Sequence, residues 1–247
     1  MYSIFRKEIS GFFSGITGYM VIIVFLLVNS LFIWVFPGEL NVFDNGYAGL
    51  DTLFFLSPWV FLFLVPAVTM KMIAEEKRLG TLELLYSRPV TERDIVYGKY
   101  LASVCLVLMA LIPCLIFYFS IHILGETPGN LDKGGTWGAF IGLFFLAAVY
   151  AAAGLFASSL TDNQVVAFII AVLLSFFIYA GFDLIAYLPG LKKVDELLIN
   201  LGLNEHYKAI SRGVIDLRDV VYFVAVSAVI NEATRLVLLS RKWRKNR

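Results

Sequence analysis

The chain has 247 residues, of which 60% are apolar and only 16% charged, with a mean hydropathy of +0.81 and a formal net charge of +1. Disorder is excluded, and an ordinary water-soluble domain is disfavoured, because such domains carry about half apolar and a quarter charged residues. The near-zero net charge hides a strong segregation of basic residues along the chain.

Tyr2 to Phe13 interleaves Ile4, Phe5, Ile9, Phe12 and Phe13 with Arg6, Lys7 and Glu8, the pattern of an amphipathic helix lying at a bilayer surface. Thr17 to Phe36 is the first uncharged apolar run long enough to cross a bilayer, which takes about 20 residues. Arg6 and Lys7 resemble a signal n-region, but the run is about twice the length of a signal core and no small-x-small site follows it, so it reads as an anchor. Leu53 to Met70 is the second run. Its Pro58 and Pro66, like Pro113 in the third run, each remove one helical hydrogen bond, and a packing kink or a gating hinge explains them.

The segment from Met70 to Asp94 is the most informative polar stretch. A helix continues past the membrane through Glu75, Glu76, Lys77 and Arg78 until Gly80, which costs a helix about 1 kcal/mol and offers a break. Thr81 can cap a short helix whose Leu82, Leu85 and Tyr86 share one face, and Pro89 ends it. Thr91 with Asp94 reads as a capping box opening the third span. The short helix either rests on lipid or acts as a lever docking into a partner protein.

Leu101 to Leu124 is the third run; its Cys105 and Cys114 lie roughly 13 Å apart along one helix, too far for a disulfide. Trp137 to Leu160, the fourth, is crowded with Gly138, Gly142, Ala147, Ala148 and Gly154, which allow close helix approach. A short turn, Thr161-Asp162-Asn163-Gln164, leads into the fifth run, Asn163 to Phe182, and either Thr161 or Asp162 can cap it. Leu188 to Asp219 holds Val194, Leu197, Leu198 and Leu201 at helical spacing, with Lys192, Lys193, Asp195 and Glu196 between them, as in an amphipathic hairpin dipping into the outer leaflet. Val220 to Ser240 is the sixth run and carries Glu232 and Arg235. Three residues apart, these two can pair on one helix turn, inside the hydrocarbon but off centre. Structural pairing with snorkelling, or a role in subunit contact or substrate passage, accounts for them.

The spans thus run over about 17–36, 53–72, 100–124, 137–160, 163–185 and 219–240 of a single membrane domain covering 1–247. With the N-terminus cytoplasmic, 14 of the 20 basic residues fall on the inner side, as the positive-inside rule requires, so both termini face in. No Gly-x-x-x-x-Gly-Lys-Ser/Thr loop occurs to cradle ATP phosphates, and Gly98-Lys99 has no glycine partner at the required spacing. His122 and His206 are far apart and neither has a second ligand at helical spacing, so neither a metal nor another cofactor is expected. No clustered nucleophile or carboxylate pair argues for an enzyme.

The run Ala74-Glu-Glu-Lys-Arg-Leu-Gly-Thr-Leu-Glu-Leu-Leu, followed by Arg88-Pro89-Val90, resembles the signature of permease subunits of the type-2 ABC transporter family. Lys7-Glu8, Phe12-Phe13, Pro66-Ala67, Gly98-Lys99-Tyr100, Ser159 to Phe168, His206-Tyr207 and Arg212 to Phe223 extend the likeness toward the gliding-motility subfamily, the GldF type. The resemblance implies an all-α integral membrane fold with six spans, an N-terminal interfacial helix, a coupling helix at about 74–88 and an outer re-entrant hairpin before span six. It implies a separate ATP-binding cassette subunit, contacted by Glu75, Glu76, Gly80, Thr81, Glu83 and Leu84, with Asp162, Asn163 and Gln164 as a second approach. It further implies a homodimer or a paired second permease, a gliding-type membrane protein as partner, and residence in the inner membrane, with no nucleic acid involved. A non-transporting transducer that drives an envelope apparatus from the same ATPase is the alternative.

Overall fold

The computed structural model describes residues 1–86, 89–125, 131–186 and 195–245, and all regular structure among them is helical. Six stretches are long and apolar enough to cross a membrane: Thr17–Val35, Asp51–Arg78, Glu92–Leu124, Lys133–Leu160, Gln164–Ala186 and Leu217–Ser240. The chain is therefore built as an all-α, six-span protein. Arg88 of the signature, and Lys192, Lys193 and Val194 of the expected outer hairpin, lie outside the described residues.

The hub is α8, Lys133–Leu160. It packs against α4 (Asp51–Arg78), α6 (Glu92–Leu111), α9 (Gln164–Phe176), α12 (Leu203–Ser211) and α13 (Leu217–Lys245). Its small residues permit this: Ala147, Ala151, Ala152, Ala153 and Ala157 are fully buried, and a Cβ at Gly154 would lie 1.9 Å from Thr69 Oγ1. At the other end a Cβ at Gly138 would sit 2.3 Å from the Ile210 carbonyl oxygen, so glycine lets α12 lie directly on α8. Between α2 (Thr17–Ser30) and α4, Phe25 stacks on Phe61 with centroids 4.2 Å apart. One turn on, buried Asn29 donates to the Phe25 carbonyl and accepts from the Ser57 hydroxyl, so this polar side chain is satisfied inside the apolar interface.

Helix ends differ from the sequence expectation in a systematic way. Charge-free runs mark what fits into hydrocarbon, whereas the helices continue into charged turns, α4 as far as Arg78 and α6 from Glu92. The expected coupling helix at about 74–88 is accordingly two pieces. Ala74 to Arg78 are the last residues of α4, and the separate element is α5, Thr81–Tyr86, set off by Gly80 at φ +70°, a left-handed conformation that favours glycine. Pro113 ends α6 in a tight 3₁₀ turn, Ile112–Cys114, before α7 (Leu115–Leu124), whereas Pro58 and Pro66 lie inside a continuous α4. Two π-helical turns, Leu31–Val35 and Phe177–Gly181, have no sequence signal.

The Thr91 and Asp94 capping box forms as expected, with the Thr91 hydroxyl oxygen accepting from the Asp94 N–H at 3.2 Å. Thr91→Ala is expected to lower stability by about 1 kcal/mol, read as a drop of a few degrees in the thermal midpoint of the purified protein. The α9 cap is neither Thr161 nor Asp162 but Asn163, whose side chain accepts from the Val165 N–H at 2.9 Å while Thr161 Oγ1 accepts from the Asn163 N–H. The Asn163 side chain reaches the second N–H of the helix, one residue beyond the two candidates read from the sequence.

Before α13 the chain forms α11 (Asp195–Leu201) and α12, the described part of the expected hairpin. Tyr207 of α12 donates to the Phe54 carbonyl at 2.8 Å, and its burial pushes the phenol far above its ordinary value. His206 joins the Asp219 carboxylate at 2.6 Å and the Asn200 carbonyl at 2.9 Å, tying α12 to α13 and α11. Glu205 faces the other way, toward Arg212.

Candidate functional site

The residues of the Glu-Glu to Gly-Thr signature sit together at one end of the bundle, where α4 stops, α5 crosses and α6 begins. Leu82 is buried and Leu85 and Tyr86 are half-buried against the same apolar cluster, which fixes the inner face of α5. Its outer face is different: Leu84 is 67% exposed, and Leu79 in the preceding break is 63% exposed. Thr81 opens α5, and its hydroxyl donates to the Glu76 carbonyl at 3.3 Å, fastening α5 to α4 across Gly80.

The two signature glutamates part company. Glu75 points outward and, among the described residues, pairs with Arg78 at 3.9 Å in an exposed pair. Glu76 turns inward. Its Oε1 receives the Lys99 ammonium at 3.0 Å and the Lys7 ammonium at 2.7 Å, while Lys99 also reaches Glu8 Oε1 at 2.7 Å. Lys99 is 1% exposed and Glu76 and Glu8 are 12% and 14% exposed, so one buried cation and two largely buried carboxylates meet there, with the half-exposed Lys7 completing the neutralisation from the solvent side. This junction joins three segments: α1 (Tyr2–Ser14), the end of α4 and the first turns of α6.

The amphipathic N-terminal helix therefore buries Ile4 and Phe12 against the bundle as well as lying at its edge, and the Gly98 Cα leaves room for Ile4. Burial alone would lower the Lys7 ammonium, but its contacts with Glu76 and Glu8 outweigh that and hold it above its ordinary 10.5. Because the folded value is the raised one, the Lys7 contribution is complete below pH 10.5 and is lost only as pH climbs past the raised value.

A second fastening lies beside the first. Ser158 of α8 places its hydroxyl oxygen against the N–H groups of Ile73 and Ala74, at 3.0 and 2.9 Å, and donates to the Met70 carbonyl at 2.8 Å. Lys77 donates to the Ser159 carbonyl. The end of α4 is thus bonded to the end of α8, which brings the exposed turn at Asp162 and Asn163, followed by Gln164, to the same end of the molecule as α5.

Glu232 and Arg235 pair as their spacing predicts, at 2.8 Å. Glu232 also meets Arg93 at 3.5 Å and accepts from the Tyr97 hydroxyl at 3.5 Å, so α6 contributes to the same cluster. The contribution of Glu8, Lys99, Ser158 and Arg93 escaped sequence reasoning, because each acts on a different helix, distant in the chain. Gly98-Lys99-Tyr100 was visible only as a short motif without a partner. Among the described residues no group of His, Cys, Asp and Glu has the arrangement of a metal site.

A family model described as ABC-2 family transporter protein matches residues 51–201, from the start of α4 to the end of α11 and more than half of the chain. The protein belongs to this family. It is a multi-pass membrane protein and a transmembrane permease subunit of an ABC transporter, a class that works with an ATP-binding subunit. No curated protein matches the chain.

Proposed function

We propose that the chain is the membrane half of an ATP-driven transporter of the exporter type in the cytoplasmic membrane, and that α5 is the element gripped by a separate ATP-binding subunit. The observation that carries this reading is the division of labour at the α5 end. Leu79, Leu84 and Glu75 face outward, while Glu76, Lys99, Glu8 and Ser158 lock the same segment to three other helices. A push on α5 therefore enters α4, α6, α8 and α1 together. Gly80 and Thr81 set the angle of the lever, Glu83 and Leu84 supply its exposed face, and Asp162, Asn163 and Gln164 give the second approach. Glu76, though part of the signature, serves the junction rather than the partner.

With α5 inside, both termini face the cytoplasm, in agreement with the distribution of basic residues. Six spans form half of a twelve-span pathway, completed by a second copy or a paired permease. The short motifs shared with the gliding-motility subfamily support a place in that machinery beside another membrane protein of the same system.

The test is co-purification with the ATPase. Leu84 is 67% exposed, so Leu84→Asp should leave the fold intact yet lose at least about tenfold in ATPase binding, as expected for an apolar anchor at an interface centre. A Leu84→Asp chain that keeps the ATPase at full stoichiometry and normal turnover overturns the assignment of α5.

A further inference from the structure

At the end of the molecule opposite α5, a cavity of about 540 Å³ opens between the start of α4, the π-helical turn after α9, and α12. Phe55, Trp59, Tyr179 and Tyr207 form its aromatic wall, and Lys208 and Arg212 stand at its rim. We infer that this cavity binds an amphiphile with an anionic headgroup, its apolar part on Phe55 and Trp59 and its headgroup on Lys208 and Arg212.

The wall is rigid and open at once. Tyr207 is held by its bond to the Phe54 carbonyl, and Tyr179 packs edge-on against Trp59 with centroids 5.5 Å apart. Phe55 and Trp59 remain 61% and 37% exposed, so apolar surface of the span α4 faces out of the chain beside the cavity. The π-helical turn Phe177–Gly181 is what carries Tyr179 and Ala180 into the wall, and such single-turn bulges concentrate at functional positions. Behind Tyr179, with ring centroids 6.3 Å apart, the fully buried Tyr150 hydroxyl has no hydrogen-bond partner among the described residues.

The charge at the rim selects the headgroup. No carboxylate is among the cavity-lining residues. The neighbouring acids lie outside that lining: Asp183 Oδ2 accepts from Asn204 at 2.6 Å while its buried Oδ1 has no hydrogen-bond partner among the described residues, and Glu205 meets Arg212 only at 3.8 Å in an exposed pair. Exposed pairs at that distance exchange readily for a charge-assisted bond to phosphate or carboxylate. Lys208 and Arg212, four residues apart, present two cations on the same side of α12, above aromatic side chains that accept an alkyl chain. A pocket with apolar walls and a few convergent charges is the ordinary form of such a site.

The experiment uses the full chain in nanodiscs, with Trp34, Trp137 and Trp243 changed to Phe so that Trp59 alone reports. One arm titrates brominated phosphatidic acid against brominated phosphatidylcholine within the bilayer, and the other adds a soluble bromoalkyl phosphate against the matching phosphocholine. Trp59 quenching should saturate at an amount about tenfold lower for the phosphate form than for the phosphocholine form in at least one arm. Saturation in the bilayer arm identifies a membrane lipid as the source, and saturation in the soluble arm alone identifies a free amphiphile. Lys208→Gln with Arg212→Gln should abolish the preference, while Lys133→Gln, at the same end but away from the cavity, should keep it. Equal quenching by both headgroups in both arms, or a preference that survives the double change, overturns the proposal. Neither readout involves the ATPase, so the result is independent of the assignment of α5.

Discussion

Replacing Lys99 by methionine is expected to destabilise the protein by about 3–5 kcal/mol, the usual cost of removing one partner from a buried charge pair. Methionine fills nearly the same volume, so packing alone would change little. The cost arises because Glu8 and Glu76 would then face each other with only Lys7 between them, and Lys7 is 58% exposed whereas Lys99 is 1% exposed. Thermal unfolding of the purified protein should show a midpoint lower by roughly 10 °C. Lys99→Met combined with Glu8→Gln and Glu76→Gln should recover most of that loss, since a junction without charge carries no unpaired ion. If Lys99→Met alone leaves the midpoint within a degree or two of the parent, the junction does not hold α1, α4 and α6 together. The triple variant separates fold from function: it restores stability with amides in place of ions, so any remaining loss of ATP-driven transport reports on the transmission of force through charge.

The six spans, the break at Gly80, the Thr91 and Asp94 capping box and the pairing of Glu232 with Arg235 were all legible in the sequence. Each depends on residues at most a few positions apart, or on a run long enough to cross a bilayer. What sequence reading could not supply was contacts between distant segments. Glu232 could be read only against its own helix, so Arg93 and Tyr97, which meet it from α6, stayed hidden. Glu75 and Glu76 looked equivalent because adjacent residues on a helix differ only in the direction they face. The neighbours that separate them, Lys7 and Lys99, come from α1 and α6. The π-helical turn beside Trp59 was invisible for another reason: nothing in Phe177 to Gly181 distinguishes a widened turn from an ordinary one.

The second large effect is expected at Gly154, where two opposing terms can be weighed. In an isolated helix, alanine would be favoured over glycine by about 1 kcal/mol. Here the new methyl group would stand 1.9 Å from Thr69 Oγ1 and 2.9 Å from Thr69 Cβ, inside any van der Waals contact. The helices cannot slide apart cheaply, because one turn further on Ser158 is bonded to Met70, Ile73 and Ala74 of the same partner helix. Overpacking of this kind costs about 1–3 kcal/mol, so Gly154→Ala should lower the thermal midpoint despite its better helix propensity. Thr69→Ala removes the closer contact and leaves the Cβ one, and the Thr69 hydroxyl bonds only to carbonyls of its own helix, Val65 and Pro66. In the Gly154→Ala background it should therefore restore part of the stability, whereas alone it should cost little. Simple additivity of the two changes would mean that α4 and α8 separate without regard to Thr69. The close seam would then not be what keeps the α5 end of α4 in register with α8.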